Sequence, residues 1–554
     1  MKQKLPTRRM REHPDLEQLK RQAKELLRRF TAAEVIAVAE VNAHYHAADA
    51  SKFALHDAQL VIARSYGFES WPKLKSYIDG VTVKRLVDAV CANDLTRVRA
   101  MLKARPEIAD MAISYSDEHR PIHYAVMNRL PEMVSLLMRH GANARSGIHP
   151  HRRATTAFTI AKERGYLEIA AIIEKQEQRR GQSTRAETSE SAEQVANDLG
   201  VRDAEARAAV ASGDTKWLRA RHTEGNLINH VRWAEGGLLT VAVHQNRPEI
   251  LTLLLEFGFD PDERVSGGEG DWVAYSQGHP LWHSAALGSR EMAEILLRRG
   301  ANPNAHVDSS GSAVYSAYSH KQWEMVDLLR SHGGLVSADI AAIYRQNDLA
   351  RQMLSDDARG ALTEGIVSSG KSLPEELLQF GASGGDPEIV RLALERIEWP
   401  RDDRRWFKPL TEPLYFWHHI PWLYAGNREF DRTTYLICFR HILERCDPNV
   451  MGSFGRTALH EVAAMGDWVN DEEAVEFAQA LFEAGARMDF RDDILQSTPL
   501  GWACRWGRAG VAKIMLEHGA DPVEAESELW ARPLAWAEKM GQLGLVKMLR
   551  NWGA

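Results

Sequence analysis

The sequence is poor in the features that mark several protein classes. It has four cysteines in 554 residues, at Cys91, Cys438, Cys446 and Cys504, with no CxxC spacing. That excludes a disulfide framework and a cysteine zinc set, and fits a reducing, cytoplasmic setting. No run of 18 apolar residues occurs, which excludes a membrane-spanning helix. The first ten residues, MKQKLPTRRM, lack the apolar stretch of a secretory signal. Positive charge is not in excess: 69 Lys and Arg face 76 Asp and Glu, a formal net charge of −7. That balance argues against a generic nucleic-acid binder. No GxGxxG between a strand and a helix is present, so that dinucleotide-binding motif supplies no activity. The hydrophobic fraction of 44% and charged fraction of 26% are those of an ordinary folded chain.

The sequence does contain an internal repeat. Residues 121–144 read PIHYAVMNRLPEMVSLLMRHGANA, 280–305 read PLWHSAALGSREMAEILLRRGANPNA, and 498–521 read TPLGWACRWGRAGVAKIMLEHGAD. TALHEVAAM at 457–465 and AVEFAQALFEAGA at 474–486 complete a fourth unit around an insertion. A Pro-Leu-His opening starts a short helix carrying small residues such as Ala285, Ala463 and Ala503. A turn and a second helix follow, ending Leu-Leu-x-x-Gly-Ala-Asp/Asn. Proline is tolerated at the first helical position, and Gly141, Gly300, Gly485 and Gly519 stand where a left-handed cap is needed. Pairs such as Leu136-Leu137, Leu296-Leu297 and Leu328-Leu329 form the expected buried seam.

This pattern resembles the ankyrin-repeat family, with its unit of about 33 residues and T-P-L-H-x-A signature. Weaker copies fill most of 84–554, for about a dozen units. The resemblance implies an all-α solenoid of helix-turn-helix units with projecting hairpins. The expected organisation is an N-terminal helical segment at 1–80, a first repeat block at 81–175, and a polar linker or frayed helix at 176–200. A longer block at 201–554 follows, with loop insertions at 262–279, 398–412 and 420–432. The N-terminal pattern DLEQLKRQAKELLRRF…DAQLVIARSYGFESWPKLK is similar to helical segments preceding repeats in some bacterial ankyrin proteins, which implies a bacterial source. Residues 1–30 hold ten Lys or Arg against four Asp or Glu. They read first as a solvated cap of the array and second as a basic arm for an acidic partner or nucleic acid.

The resemblance also implies where binding occurs: in the concave groove, at hairpin tips, and at the residues ending each first helix. On this sequence those helix-end residues include His244 and Gln245, His320, His419, and Arg505 with Trp506. Fifteen of the 16 tryptophans lie at or after Trp217. Several stand in the insertions: Trp272 beside Tyr275, Trp406, and Trp422. Such residues dominate interface energetics, so a protein partner is the expected ligand. The same rings could stack on sugars. An enzyme of glycosidase type would need paired carboxylates in that aromatic groove, and Asp271, Glu461, Asp467 and Asp493 are the candidates. Asp at a hairpin tip equally bonds turn amides. His123, His283 and His460 fall at or beside the signature histidine, which in the family bonds neighbouring loops. His149-Pro-His151 and His418-His419 lack the partner spacing of a metal site. No cofactor is indicated.

Overall fold

The computed structural model describes residues 16–45, 52–68, 70–114, 117–148, 151–187, 190–227, 229–267, 274–308, 310–367, 370–415, 433–465 and 470–554. The chain divides into two compact units: residues 1–284 with 291–311, and residues 285–290 with 312–554.

The first unit opens with four helices: α1 (Leu16–Thr31), α2 (Val35–His44), α3 (Leu55–Ser65) and α4 (Trp71–Ile78). Their apolar faces share a core of Leu19, Ala23, Leu26, Phe30, Val41, Phe53, Val61, Ile62, Phe68 and Leu74. The 3.6-residue spacing of the α1 leucines puts them on one stripe, which is why this segment has a core of its own. Arg105 ties it to the first repeat. The side chain is fully buried, donates from Nη1 to Val81 O at 2.8 Å, and pairs through Nε with Glu107 at 3.0 Å. Its guanidinium also sits over the Phe68 and Tyr77 rings.

The repeats of this unit are α5/α6 (Val83–Cys91, Leu95–Ala104), α7/α8 (Pro121–Met127, Pro131–Arg139), α9/α10 (Ala157–Glu163, Leu167–Glu187), α11/α12 (Glu190–Ser212, Thr215–Thr223), α13/α14 (Leu238–His244, Pro248–Glu256) and, apart from residues 285–290, α15/α16 (His279–Leu287, Arg290–Arg298). First helices pack on first helices, as α7 does on α5 and α9, and second on second, as α10 does on α8. Residues 176–200, whose composition reads as a linker or frayed helix, lie within α10 and α11 apart from 188–189, which fall outside the described residues. The division into units falls instead near residues 285–312.

The second unit holds α17/α18 (Ala313–Ser319, Trp323–Ser331), α19/α20 (Ala338–Ile343, Asn347–Ala358), α21/α22 (Leu373–Gly384, Pro387–Leu394), α23/α24 (Phe407–Tyr415, Thr433–Leu443), α25/α26 (Ala458–Ala463, Asp471–Glu483), α27/α28 (Pro499–Trp506, Ala509–Glu517) and α29/α30 (Pro533–Lys539, Leu543–Asn551). The described residues thus form thirteen helix pairs in the whole chain. The expected seam is buried: Leu136, Leu137, Leu296, Leu297, Leu328 and Leu329 are all out of solvent. Among the described residues no helix is long and apolar enough to cross a membrane.

Among the described residues strand is confined to short hairpins. In the first unit β1 (Val265–Gly267) pairs antiparallel with β2 (Ala274–Ser276), placing Val265 opposite Ser276 and Gly267 opposite Ala274. This is the stem of the 262–279 insertion. Its tip, with Asp271 and Trp272, lies outside the described residues, and Tyr275 is placed by its backbone in β2.

Candidate functional site

The signature histidines link repeats. His123 Nδ1 accepts from Arg120 N at 3.0 Å, which leaves Nε2 protonated to donate to Ser146 O at 3.0 Å. His460 repeats the arrangement with Thr457 N at 3.1 Å and Ser497 O at 3.2 Å. Burial holds both rings neutral, with pKa values pushed down to about 3. In 279–282 (HPLW) the histidine position is taken by Trp282. Its indole Nε1 donates to Ser310 O at 2.9 Å, so a tryptophan makes the loop bond and His283 lies beside it. Trp536 does related work: Nε1 donates to Ser497 Oγ at 2.7 Å, and Ser497 Oγ donates to Ala531 O.

Buried carboxylates serve the same purpose. Glu263 accepts from Gly237 N at 2.6 Å, Leu239 N at 2.7 Å and Thr240 Oγ1 at 2.6 Å, closing the N-terminus of α13. Burial raises its pKa and those bonds oppose the rise. Asp492 accepts from Ile494 N, Leu495 N and Ser497 N and from Trp502 Nε1 at 2.8 Å. Hairpins join in register: Asp110 accepts from Asn143 N, and Asp262 from Asn302 N.

The four proposed acid/base carboxylates separate on these facts. Asp271 and Asp467 lie outside the described residues. Asp493 is exposed, and its backbone N donates to Phe454 O at 2.8 Å. Glu461 is only 1% exposed. Its Oε1 faces Arg456 Nη1 at 3.0 Å and its Oε2 accepts from Tyr415 Oη. Burial pushes Glu461 up to about 8 against the pull of Lys408, and pushes Arg456 down to about 10. Glu461 is therefore corrected from candidate catalyst to half of an interior Arg–Glu contact, because a carboxyl this enclosed cannot reach a substrate.

The proposed contact residues separate as well. Trp406 is 0% exposed, with Nε1 donating to Pro400 O at 2.8 Å and its ring 4.8 Å from that of Trp399. It anchors the 398–412 insertion from inside, which corrects its reading as a contact residue. His419 and Trp422 lie outside the described residues. His244 and Gln245 are exposed at the end of α13, and the His244 and His283 rings are 4.4 Å apart. His320 is exposed at the end of α17. Arg505 and Trp506 are half-buried at the end of α27. Sequence reasoning missed Trp323, 54% exposed at the start of α18 and edge-on to Tyr318 at 5.6 Å. Its place three residues after His320 is the signal that could have found it. Tyr315 and Tyr344 extend this aromatic group in the second unit.

Among the described residues no group of three or more His, Cys, Asp or Glu side chains is placed to hold a metal ion.

Comparison with known proteins places these features. The family described as "Ankyrin repeats (3 copies)" matches residues 430–526, and the single "Ankyrin repeat" matches 117–146 and 277–307. Two mouse proteins are similar over part of their lengths. Rabankyrin-5 is 28% identical over 166 residues, which are 28% of this chain and 14% of that protein. The B-cell lymphoma 3 protein homolog is 29% identical over 199 residues, 36% of this chain and 32% of that protein. This chain therefore spans well under two thirds of either relative. Stacked helix pairs, loop-bonding histidines and matching repeats lead to one conclusion: the chain is an ankyrin-repeat protein.

Proposed function

We propose that this chain is a cytoplasmic scaffold that binds a protein partner along the first-helix ends and hairpins of its repeats, with no chemistry of its own. Ankyrin repeats generally mediate protein–protein interaction. One observation carries the reading: side chains ending first helices, His244, Gln245, His320, Arg505 and Trp506, reach solvent. The carboxylates an enzyme would need are, where described, either buried in repeat-joining bonds (Glu461) or exposed at a turn (Asp493). A rigid stack presents such side chains at little entropic cost.

The test is capture of partners from native lysate by the full chain, beside a variant carrying H244A, Q245A, H320A, R505A and W506A. Any retained protein is then purified and titrated against both. The reading expects direct binding to the wild type and a loss of about a hundredfold or more in the variant, as for several hot-spot side chains together. Equal binding to both, or no retained protein, counts against it.

A further inference from the structure

The last two repeats carry a cation at the same place. Arg505 and Lys539 each stand six residues after the opening proline of their first helix, Pro499 and Pro533. They flank one indole: Arg505 Cζ is 4.9 Å from the Trp536 ring centre and Lys539 Nζ is 5.1 Å from it. Arg505 is also 4.9 Å from the ring of Trp506, which stacks on Trp502 at 4.9 Å. The rings are fixed from beneath, since Trp536 donates to Ser497 Oγ at 2.7 Å and Trp502 to Asp492 at 2.8 Å. Arg505 Nη1 rests 3.6 Å from Met540 Sδ.

Two like charges on one ring repel. The indole face offsets part of that repulsion, and an anionic group contacting both cations from solvent would offset more. A guanidinium held between two indoles is also preorganised, so little side-chain entropy is lost on binding. Because the two positions are equivalent in successive repeats, carboxylates spaced along an extended chain would meet both. We propose that Arg505, Trp506 and Lys539 form a docking platform for an acidic peptide segment of a partner protein, its Asp or Glu side chains bridging the two cations. This rests on the scaffold reading above and names the class of partner.

The test is selection of random short peptides displayed on phage against the full chain, with counter-selection on R505Q/K539Q. Recovered peptides are synthesised and titrated by fluorescence anisotropy at low and high salt. The expected result is enrichment in Asp and Glu, binding about tenfold or more weaker to the variant, and affinity that falls with salt. Circular dichroism melting checks that the variant folds. If it does not, K539E, at an exposed position, replaces it in the titrations and is expected to weaken binding in the same direction. Peptides with no acidic enrichment, peptides that bind both proteins equally, or no peptide preferring the wild type would overturn the proposal. So would tighter competition by a single-stranded DNA oligonucleotide. A partner captured in the earlier experiment that ignores these substitutions would sink this proposal and leave the scaffold reading standing.

Discussion

Arg456 Nη1 lies 3.0 Å from Oε1 of Glu461, and both side chains are buried between first helices of the second unit. Such a pair contributes little to net stability as a unit but is costly to break, because the survivor keeps its desolvation penalty. Arg456→Ala is therefore expected to destabilise the fold by about 3 to 5 kcal/mol. The double change Arg456→Met with Glu461→Leu should cost less than Arg456→Ala. Urea denaturation of the three proteins checks the order. Equal losses in the single and double variants would contradict it.

Acid should loosen the array through two histidines. His123 and His460 have folded pKa values near 3 against an ordinary 6.5. Above 6.5 neither state takes up the proton, and their contribution to stability is complete. As pH falls from 6.5 towards 3 the unfolded chain binds a proton at each ring and the folded chain does not. Stability is then lost by about 1.4 kcal/mol per pH unit for each histidine. Melting midpoints should fall across this window, and more gently in His460→Gln than in the wild type. A slope unchanged by that substitution would be evidence against the assignment.

Glu263 closes the start of α13 with bonds to two backbone amides and Thr240. Glu263→Ala strips these donors of their acceptor and is expected to cost about 2 to 3 kcal/mol. Hydrogen exchange should show the loss first at Leu239 and Thr240. Protection unaltered at these amides would mean that another acceptor closes the helix.

Trp406 and His320 should respond in opposite ways. Trp406→Ala empties a fully buried site and is expected to lower stability by about 3 to 5 kcal/mol. His320→Ala, at an exposed helix end, is expected to change stability by less than about 0.5 kcal/mol while weakening partner binding. Denaturation midpoints and partner titrations on the same two variants separate an interior tryptophan from a contact residue.

Trp282 offers a test of the signature position itself. Its indole bond to Ser310 O replaces the histidine bond seen at His123. Trp282→Phe keeps most of the ring but removes the donor, and is expected to cost about 1 kcal/mol. Thermal melting monitored by circular dichroism reads it, and no loss would show that the bond adds nothing.

The sequence alone determined the repeat. Period, opening proline, small residues in the first helix and glycine after the second are local requirements of one helix-turn-helix unit, and each recurs legibly. Gly519 shows why: its φ of 92° is a backbone conformation that disfavours other residues. The two residues ending each first helix were legible for the same reason. The tertiary structure decided what individual polar and aromatic side chains do. Composition cannot distinguish a tryptophan that fills an insertion, such as Trp406, from one that meets solvent, such as Trp323. Nor can it tell a catalytic carboxylate from Glu461, because burial and partners are supplied by residues one repeat away. The residues 176–200 are another such case. Their polarity argues against a core of their own, yet they are helical as far as they are described, continuing helices whose apolar ends pack on neighbouring repeats. Local chemistry fixes the unit, and the stacking of neighbours fixes which of its side chains are left for a partner.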